Sequence, residues 1–484
     1  MPAELRWPGK ALPDEQPAPD LPGSEVHGAP RDGWLDRVYL GDGLEVCRHL
    51  LPGLRGQVRL VTIDPPFDTG STWTRRVRLR GAGPTVRVHE TQYDDRWAPG
   101  TYLQHLYERL ALLRPLMAED ATIWVHCDDR RSHHIRCLLD ELFGARNFRS
   151  AVTWRRKPGR SNTRNVFDAA TDTLLFYSRS DRYRFERPVT RESEEAQRTI
   201  QKRFSYTDAD GRRFMPTPIV SPNPRPNLYY PYKGRQPPPN GWSFSLEKMQ
   251  AWDAAGRLYF PERGGRIYRK IYLDEYEGQP VSDLWTDIHV INPMARERLG
   301  YPTQKPEALL ERILRTVTAP GDLVLDTFAG SGTSAAVARR LGRRFIVCDD
   351  NPGAVHTITR RLLTQDVEDA PGFSVHRAPT PEETGGLRLE RRDDALHIAH
   401  LDAPSLRARL GSARVDDWRR LADCVLVDTQ WDGAVLRPDV VDVPGEGALV
   451  RGTYPLPATA GAVRVRVVDL LGAACEATLT LPGG

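Results

Sequence analysis

From about Asp36 onward, apolar runs of strand length alternate with segments whose apolar residues recur at helical spacing. DRVYLGD and VRLVTIDPPF read as strands, each with an acid at its end, and TYLQHLYERLALLRPLM as a helix. TIWVHCDD reads as a buried strand and SHHIRCLLDELFG as an amphipathic helix closed by Gly144. RSAVTWRR and DTLLFYSRS form a further strand pair around the basic loop KPGRSNTRN. Such alternation admits few folds. It predicts an α/β, doubly wound, mostly parallel sheet covered on both faces, with ligands received at the carboxyl ends of the strands.

Periodicity fades between 182 and 292, where SPNPRPNLYYPYKGRQPPPNGW mixes prolines, aromatics and basic residues. That stretch reads as an irregular recognition insertion rather than a second core. Alternation resumes with PEALLERILRTV, DLVLDTFAGSGT, SAAVARRLG, RRFIVCDD and GAVHTITRRLL. The chain thus divides into a disordered or irregular leader (1–34), a first half-domain (35–181), the insertion (182–292), a second half-domain (293–367), and a linker with a β-rich tail (368–484). Short apolar runs in the tail, CVLVDTQW, VRVRVVDLL and EATLTL, separated by Gly and Pro, predict a small β-sandwich.

Composition narrows the setting. Lysine and arginine total 68 against 64 acids, a net charge of +4 that hints mildly at a polyanionic partner. No run approaches a membrane span, and the first twenty residues lack the apolar core of a signal peptide. Cys47, Cys127, Cys137, Cys348, Cys424 and Cys475 include no CxxC pair, which argues against a disulfide framework or a zinc site and for a reducing cytoplasm. No metal ligand set is expected.

Two stretches carry chemistry. VTIDPPFDTG (61–70) ends a buried strand with an acid, two prolines and an aromatic ring. Prolines fix φ and lack N–H groups, so Asp64, Pro65, Pro66 and Phe67 make a stiff corner of acceptors beside a ring face. That arrangement suits a flat ligand carrying an amino group. LVLDTFAGSGTSAAVARR (323–340) is a strand ending at Asp326, a loop with Gly330 and Gly332, and a helix starting near Thr333. Ser334 and Ala335 stand where a dinucleotide fingerprint needs its third glycine, and no Walker lysine is present. The next strand ends at Asp349, where a carboxylate can accept from ribose hydroxyls. The loop and the two acids describe a nucleoside pocket.

The chain resembles the site-specific DNA amino-methyltransferases of the permuted, beta-class order, including the modification subunits of type III restriction systems. The resemblance rests on DPPF (64–67), YPTQKPEALL (301–310) and DTFAGSGT (326–333), with support from GD (41–42) and CDD (348–350), and spans Leu35 to Leu363. It implies a Rossmann-like, circularly permuted methyltransferase fold that binds S-adenosyl-L-methionine. Asp326, Phe328, Gly330, Gly332 and Thr333 would line the cofactor site. Asp349 would hold the ribose, a role its neighbour Asp350 could share. Asp42 would approach the cofactor adenine, although Gly43 stands where the family often has asparagine. Thr303, Gln304 and Lys305 would flank the methionine end, ahead of a helix whose N-terminus can receive a carboxylate.

On this reading a DNA base leaves the duplex, which costs a few kcal/mol. Asp64 and the Pro65 carbonyl accept its amino hydrogens, Phe67 stacks on the ring, and transfer is direct and in line. No Pro-Cys pair exists for ring-carbon chemistry. DPP with an aromatic resembles the adenine-directed members, so N6-adenine methylation of double-stranded DNA in a restriction or phage-defence system is expected. The alternatives are N4-cytosine methylation, a specificity subunit with a vestigial site, and an RNA or protein-glutamine methyltransferase. The last usually keeps the cofactor loop ahead of the catalytic motif. Arg75, Arg76 and Arg78, then Arg155, Arg156, Lys157, Arg160 and Arg164, are the candidate phosphate contacts. A homodimer or a restriction or defence partner protein would be the companions, since no nuclease or helicase motif is visible.

Overall fold

The computed structural model describes residues 4–16, 18, 20–81, 86–98, 100–157, 165–262, 264–378, 386–411, 415–445, 447–458 and 461–481. The chain forms two compact units, Arg187–Asp287 and the remainder.

Within the larger unit the strand order from one edge is Gly23–His27, Phe373–Arg377, Asp36–Leu40, Arg344–Asp349, Leu323–Asp326, Val58–Ile63, Met117–Cys127, Thr171–Ser178, Phe148–Arg155. The strands from Phe373–Arg377 through Met117–Cys127 pair in parallel, and the two beyond are antiparallel. The central strands read LVLD, RFIVCD and VRLVTI, apolar on both faces, as a doubly covered parallel sheet requires. The late pair Leu323–Asp326 and Arg344–Asp349 wedges between two early strands. Register sets Val324 beside Leu60 and Asp326 beside Val347, so acids separated by hundreds of residues reach one sheet edge. That is the physical content of the permuted order.

Helices cover the sheet. Glu307–Val317 buries Leu309, Leu310, Ile313, Leu314 and Val317, the spacing of one helix face. The core joins Val61, Ile63, Leu106, Leu110, Leu113, Ile123, Leu325 and Ile346 into one apolar cluster.

Three expectations need correction. The described part of the leader is ordered: Leu5 and Trp7 pack on the core, and the Trp7 indole N–H donates to Gln104 at 3.0 Å. Gly23–His27 also forms the edge strand, paired with Phe373–Arg377, so the expected linker contributes to the central sheet. The recognition insertion is not irregular. Tyr206–Thr207, Arg213–Pro218, Tyr268–Tyr272 and Leu258–Tyr259 make an antiparallel sheet beside a core of Ile219, Trp242, Met249 and Ile267. Its strands are too short and proline-interrupted to leave a period-2 signal.

The tail folds as two sheets around one apolar cluster. Leu387–Arg392, Ala395–Leu401 and Thr453–Pro455 form the first, and Val440–Asp442, Ala422–Asp428, Ala462–Asp469 and Ala474–Thr480 the second. Val77, Leu79 and Val88 of the arginine-rich hairpin enter the same cluster, so the tail is built into the larger unit.

Candidate active site

A cavity of about 420 Å³ opens at the carboxyl ends of the parallel strands. Asp64, Pro65, Pro66 and Phe67 line one side; Asp326, Phe328, Gly330, Thr333 and Asp349 line the other, with Asp42, Thr303, Gln304 and Lys305 around them. The two motifs of the sequence therefore face one space.

Asp95 builds the proline corner. Its carboxylate accepts the amides of Phe67, Asp68 and Thr69 at 3.3, 2.8 and 2.9 Å, and the Thr69 hydroxyl at 2.7 Å. Asp68 takes a left-handed φ of 58° and is held by Arg131. The Tyr102 hydroxyl donates to the Pro66 carbonyl at 2.9 Å. These bonds hold the corner from Pro66 to Thr69 in place before any ligand arrives.

Asp64 lies between Lys305 and His126. Lys305 Nζ donates to Oδ2, and His126 Nδ1 stands 2.9 Å from Oδ1. Burial alone would push this carboxyl up, but Lys305 and His126 outweigh it and hold the group down at about 2. Lys305 also donates to the Thr303 carbonyl at 3.1 Å and sits 5.5 Å over the Phe67 ring. In this structure Lys305 lines the cavity and pairs with Asp64 of the proline corner.

The glycine loop is knitted from within. Asp326 accepts the Phe328 amide at 3.0 Å and the Ser334 hydroxyl at 2.5 Å. Asp349 accepts the Gly330 amide at 2.8 Å and the Asn351 amide at 3.0 Å. Burial pushes both carboxyls up to about 7, and for Asp349 the neighbouring Asp350 adds to the rise. Each Asp349 oxygen keeps a second lone pair for a hydroxyl donor. Gly332 has φ +70°, and a Cβ there would stand 2.8 Å from Ile358. Gly43 packs on Thr327, whose carbonyl would lie 3.1 Å from an added Cβ, so a side chain here would need Thr327 to shift by a few tenths of an ångström.

Asp42 caps the following helix, accepting the Leu44 amide at 2.7 Å, and pairs with Arg109. Gln304 clasps its own loop, accepting the Leu299 amide at 2.8 Å and donating to the Glu297 carbonyl at 2.6 Å. Thr303 adopts φ +60° and donates to the Pro302 carbonyl, and Thr333 donates to the Lys305 carbonyl at 3.2 Å. The helix N-terminus expected to receive a ligand carboxylate already holds one: the Glu307 amide donates to Glu297 at 2.9 Å.

The candidate DNA contacts divide. Arg75 is turned inward, bonded to Glu90 at 3.0 Å, to the Thr357 hydroxyl at 3.1 Å and to the Leu470 carbonyl at 3.2 Å, so it ties elements together. Arg76 and Arg78 lie on the exposed face of the same strand. Arg155 is partly buried and engaged by its surroundings. Arg156 pairs with Asp172 at 3.0 Å and Lys157 with Asp168 at 3.1 Å. Arg160 and Arg164 lie outside the described residues.

Sequence reading missed Asp95, Tyr102, Glu297, His126 and Asp172. Only His126 carried a signal, closing the strand TIWVHCDD beside the strand that ends in Asp64.

A cofactor with a sulfonium cation, a ribose and a flat base fits these walls: Asp326, Asp349 and Asp350 supply acids, Phe328 a ring, and the glycine loop a backbone free of side chains.

The family model described as DNA methylase, for N6/N4 methyltransferases, matches residues 58–360. The type II methyltransferase M.EcaI of Enterobacter cloacae is 30% identical over 344 residues, covering 71% of this chain and 70% of that protein. The StyLTI type III Mod subunit of Salmonella typhimurium is 28% identical over 370 residues, covering 69% of this chain and 54% of that subunit. The type II methyltransferase M.KpnI of Klebsiella pneumoniae is 24% identical over 371 residues, covering 69% and 84% respectively.

Proposed function

The chain belongs to the N6/N4 DNA methylase family, and from that premise we propose that it methylates the N6 amino group of adenine in double-stranded DNA, within a restriction-modification or phage-defence system. The observation that carries this reading is the shared cavity, in which the Asp64–Phe67 corner faces the Gly330–Gly332 loop.

S-adenosyl-L-methionine, when bound, supplies an electrophilic methyl group. Phe328, Asp349 and the glycine loop would hold it, with Asp326 bracing that loop from behind. Phe67 gives an extruded base a stacking surface worth about 1–3 kcal/mol. Asp64, kept ionised, accepts one amino hydrogen, and the Pro65 carbonyl accepts the other. With both hydrogens engaged, the nitrogen lone pair points along the line of transfer, and catalysis is positioning. Lys305 occupies Asp64 Oδ2 in this structure, so it yields that oxygen as the base enters.

Adenine is favoured over cytosine by the DPPF sequence; N4-cytosine methylation uses the same acceptors and is the second reading. Incubating the protein with labelled S-adenosylmethionine and mixed-sequence DNA, then digesting to nucleosides, decides between them. N6-Methyl-2′-deoxyadenosine is expected. N4-methylcytosine would replace the adenine assignment, and label confined to RNA or protein would remove the function.

A further inference from the structure

His126 ends the Met117–Cys127 strand, parallel to the strand that leads into Asp64. It is 4% exposed and both ring nitrogens meet carboxylates: Nδ1 is 2.9 Å from Asp64 Oδ1 and Nε2 is 3.1 Å from Asp172 Oδ2. Asp172 is itself 5% exposed, and its other oxygen is 3.0 Å from Arg156 Nε. Phe67 and Trp154 close the flanks with ring centroids at 5.2 and 5.7 Å. The result is a row of alternating charge, Arg156–Asp172–His126–Asp64–Lys305, buried at Asp172 and His126.

We propose that His126, clamped by Asp172, is a positioning residue that aims the Asp64 carboxylate at the target amino group. The proposal rests on the reading of Asp64 as the amino-hydrogen acceptor. A neutral imidazole has one N–H, so it would turn a ring lone pair toward one of the two carboxylate oxygens it faces. The protonated ring carries an N–H on each nitrogen: Nε2 bonds Asp172, and the charged Nδ1 edge stands at ion-pair distance from Asp64 Oδ1, which leaves Oδ2 as the oxygen that changes partners between Lys305 and the base. Arg156 holds Asp172 in turn, which gives that arginine a structural duty in place of a phosphate contact.

The charged groups facing His126 are Asp64 and Asp172, with Lys305 behind the first, Arg156 behind the second, and Asp128 acting on Asp172 from the same strand end. Burial works against the imidazolium, while Asp64 and then Asp172 favour it and prevail, raising the group above its ordinary value. The ring's positive charge between the two acids is therefore complete at low pH and is lost as pH rises through the raised value.

The test compares kcat against pH for DNA methylation by the wild type, His126→Ala, His126→Asn, Asp172→Asn and Asp64→Ala. His126→Ala should lower kcat about 100-fold, the cost of a misaimed group, with KM for S-adenosylmethionine unchanged. His126→Asn keeps an N–H toward Asp64, and should recover part of kcat while losing the alkaline limb. Asp172→Asn keeps an acceptor for Nε2 without the charge, and should move that limb to lower pH. If His126→Ala does not fold, Asp172→Asn decides alone. An alkaline limb that stays in place in Asp172→Asn overturns the proposal, as does a wild-type kcat in His126→Ala. A wild type that methylates no DNA, or an active Asp64→Ala, would instead defeat the reading of Asp64 itself.

Discussion

Lys305 and Asp64, 241 positions apart in sequence, form an ion pair at the mouth of the cavity where the two halves of the methyltransferase fold meet. The ammonium donates to Asp64 Oδ2 and stands 5.5 Å over the Phe67 ring. On the proposed function this is the oxygen that would take the base's amino hydrogen, so one of the chain's own amino groups stands in its place.

Lys305→Met removes that partner. Asp64 is held at about 2, below its ordinary 3.8. A depressed carboxylate adds stability above its unfolded value, and this is lost as pH falls through the folded one, so the pairing contributes on the order of 2 kcal/mol at neutral pH. The variant should be less stable at pH 7 by up to that amount in urea titrations. Its methylation rate should also fall off at a higher pH on the acid side than that of the wild type.

Gly332→Ala forces a side chain onto a left-handed backbone, 2.8 Å from Ile358. The expected cost is about 1–3 kcal/mol of stability. Thermal shift with S-adenosylmethionine should show a loop that no longer stabilises on cofactor addition.

Asp349→Asn separates stability from binding. Burial and Asp350 raise the Asp349 carboxyl to about 7, so the folded state favours its protonated form. Stability from such a group is present below the ordinary 3.8 and drains away as pH rises through about 7. Between pH 6 and 8, Tm of the variant should therefore gain on that of the wild type, while S-adenosylmethionine affinity measured by calorimetry falls, because the ribose acceptor is weakened.

Arg75 and Arg76 are neighbours with opposite duties. Arg75→Ala strands the buried Glu90 carboxylate and should cost about 3 kcal/mol of stability or more. Arg76→Ala should leave stability intact, weaken DNA binding across all sequences and reduce the salt slope by about 1. DNA titrations at several salt concentrations, beside urea melts, check both.

The parallel core was legible because its strands are apolar on both faces and its motifs sit at strand ends, where periodicity and turn chemistry agree. Asp64, Gly330 and Asp349 stand out in the sequence for that reason, and all three line the cavity. The residues that brace them were not. Asp95, Glu297 and Asp172 act through single long-range hydrogen bonds, and such contacts impose no pattern on the local sequence. Lys305 was legible as a site residue, but its pairing with Asp64 was not, because spacing says nothing about which side of a cavity a long side chain will cross. The arginines misled for a related reason: alternation placed Arg75 and Arg76 on opposite faces of one strand, and composition alone had treated them alike.

Single-turnover methyl transfer by Asp64→Ala, measured with S-adenosylmethionine affinity on the same preparation, bears most directly on the shared cavity. The account predicts cofactor affinity close to that of the wild type and transfer to DNA reduced to background. Transfer at the wild-type rate in Asp64→Ala would contradict it, showing that the proline corner is not where the amino group is held.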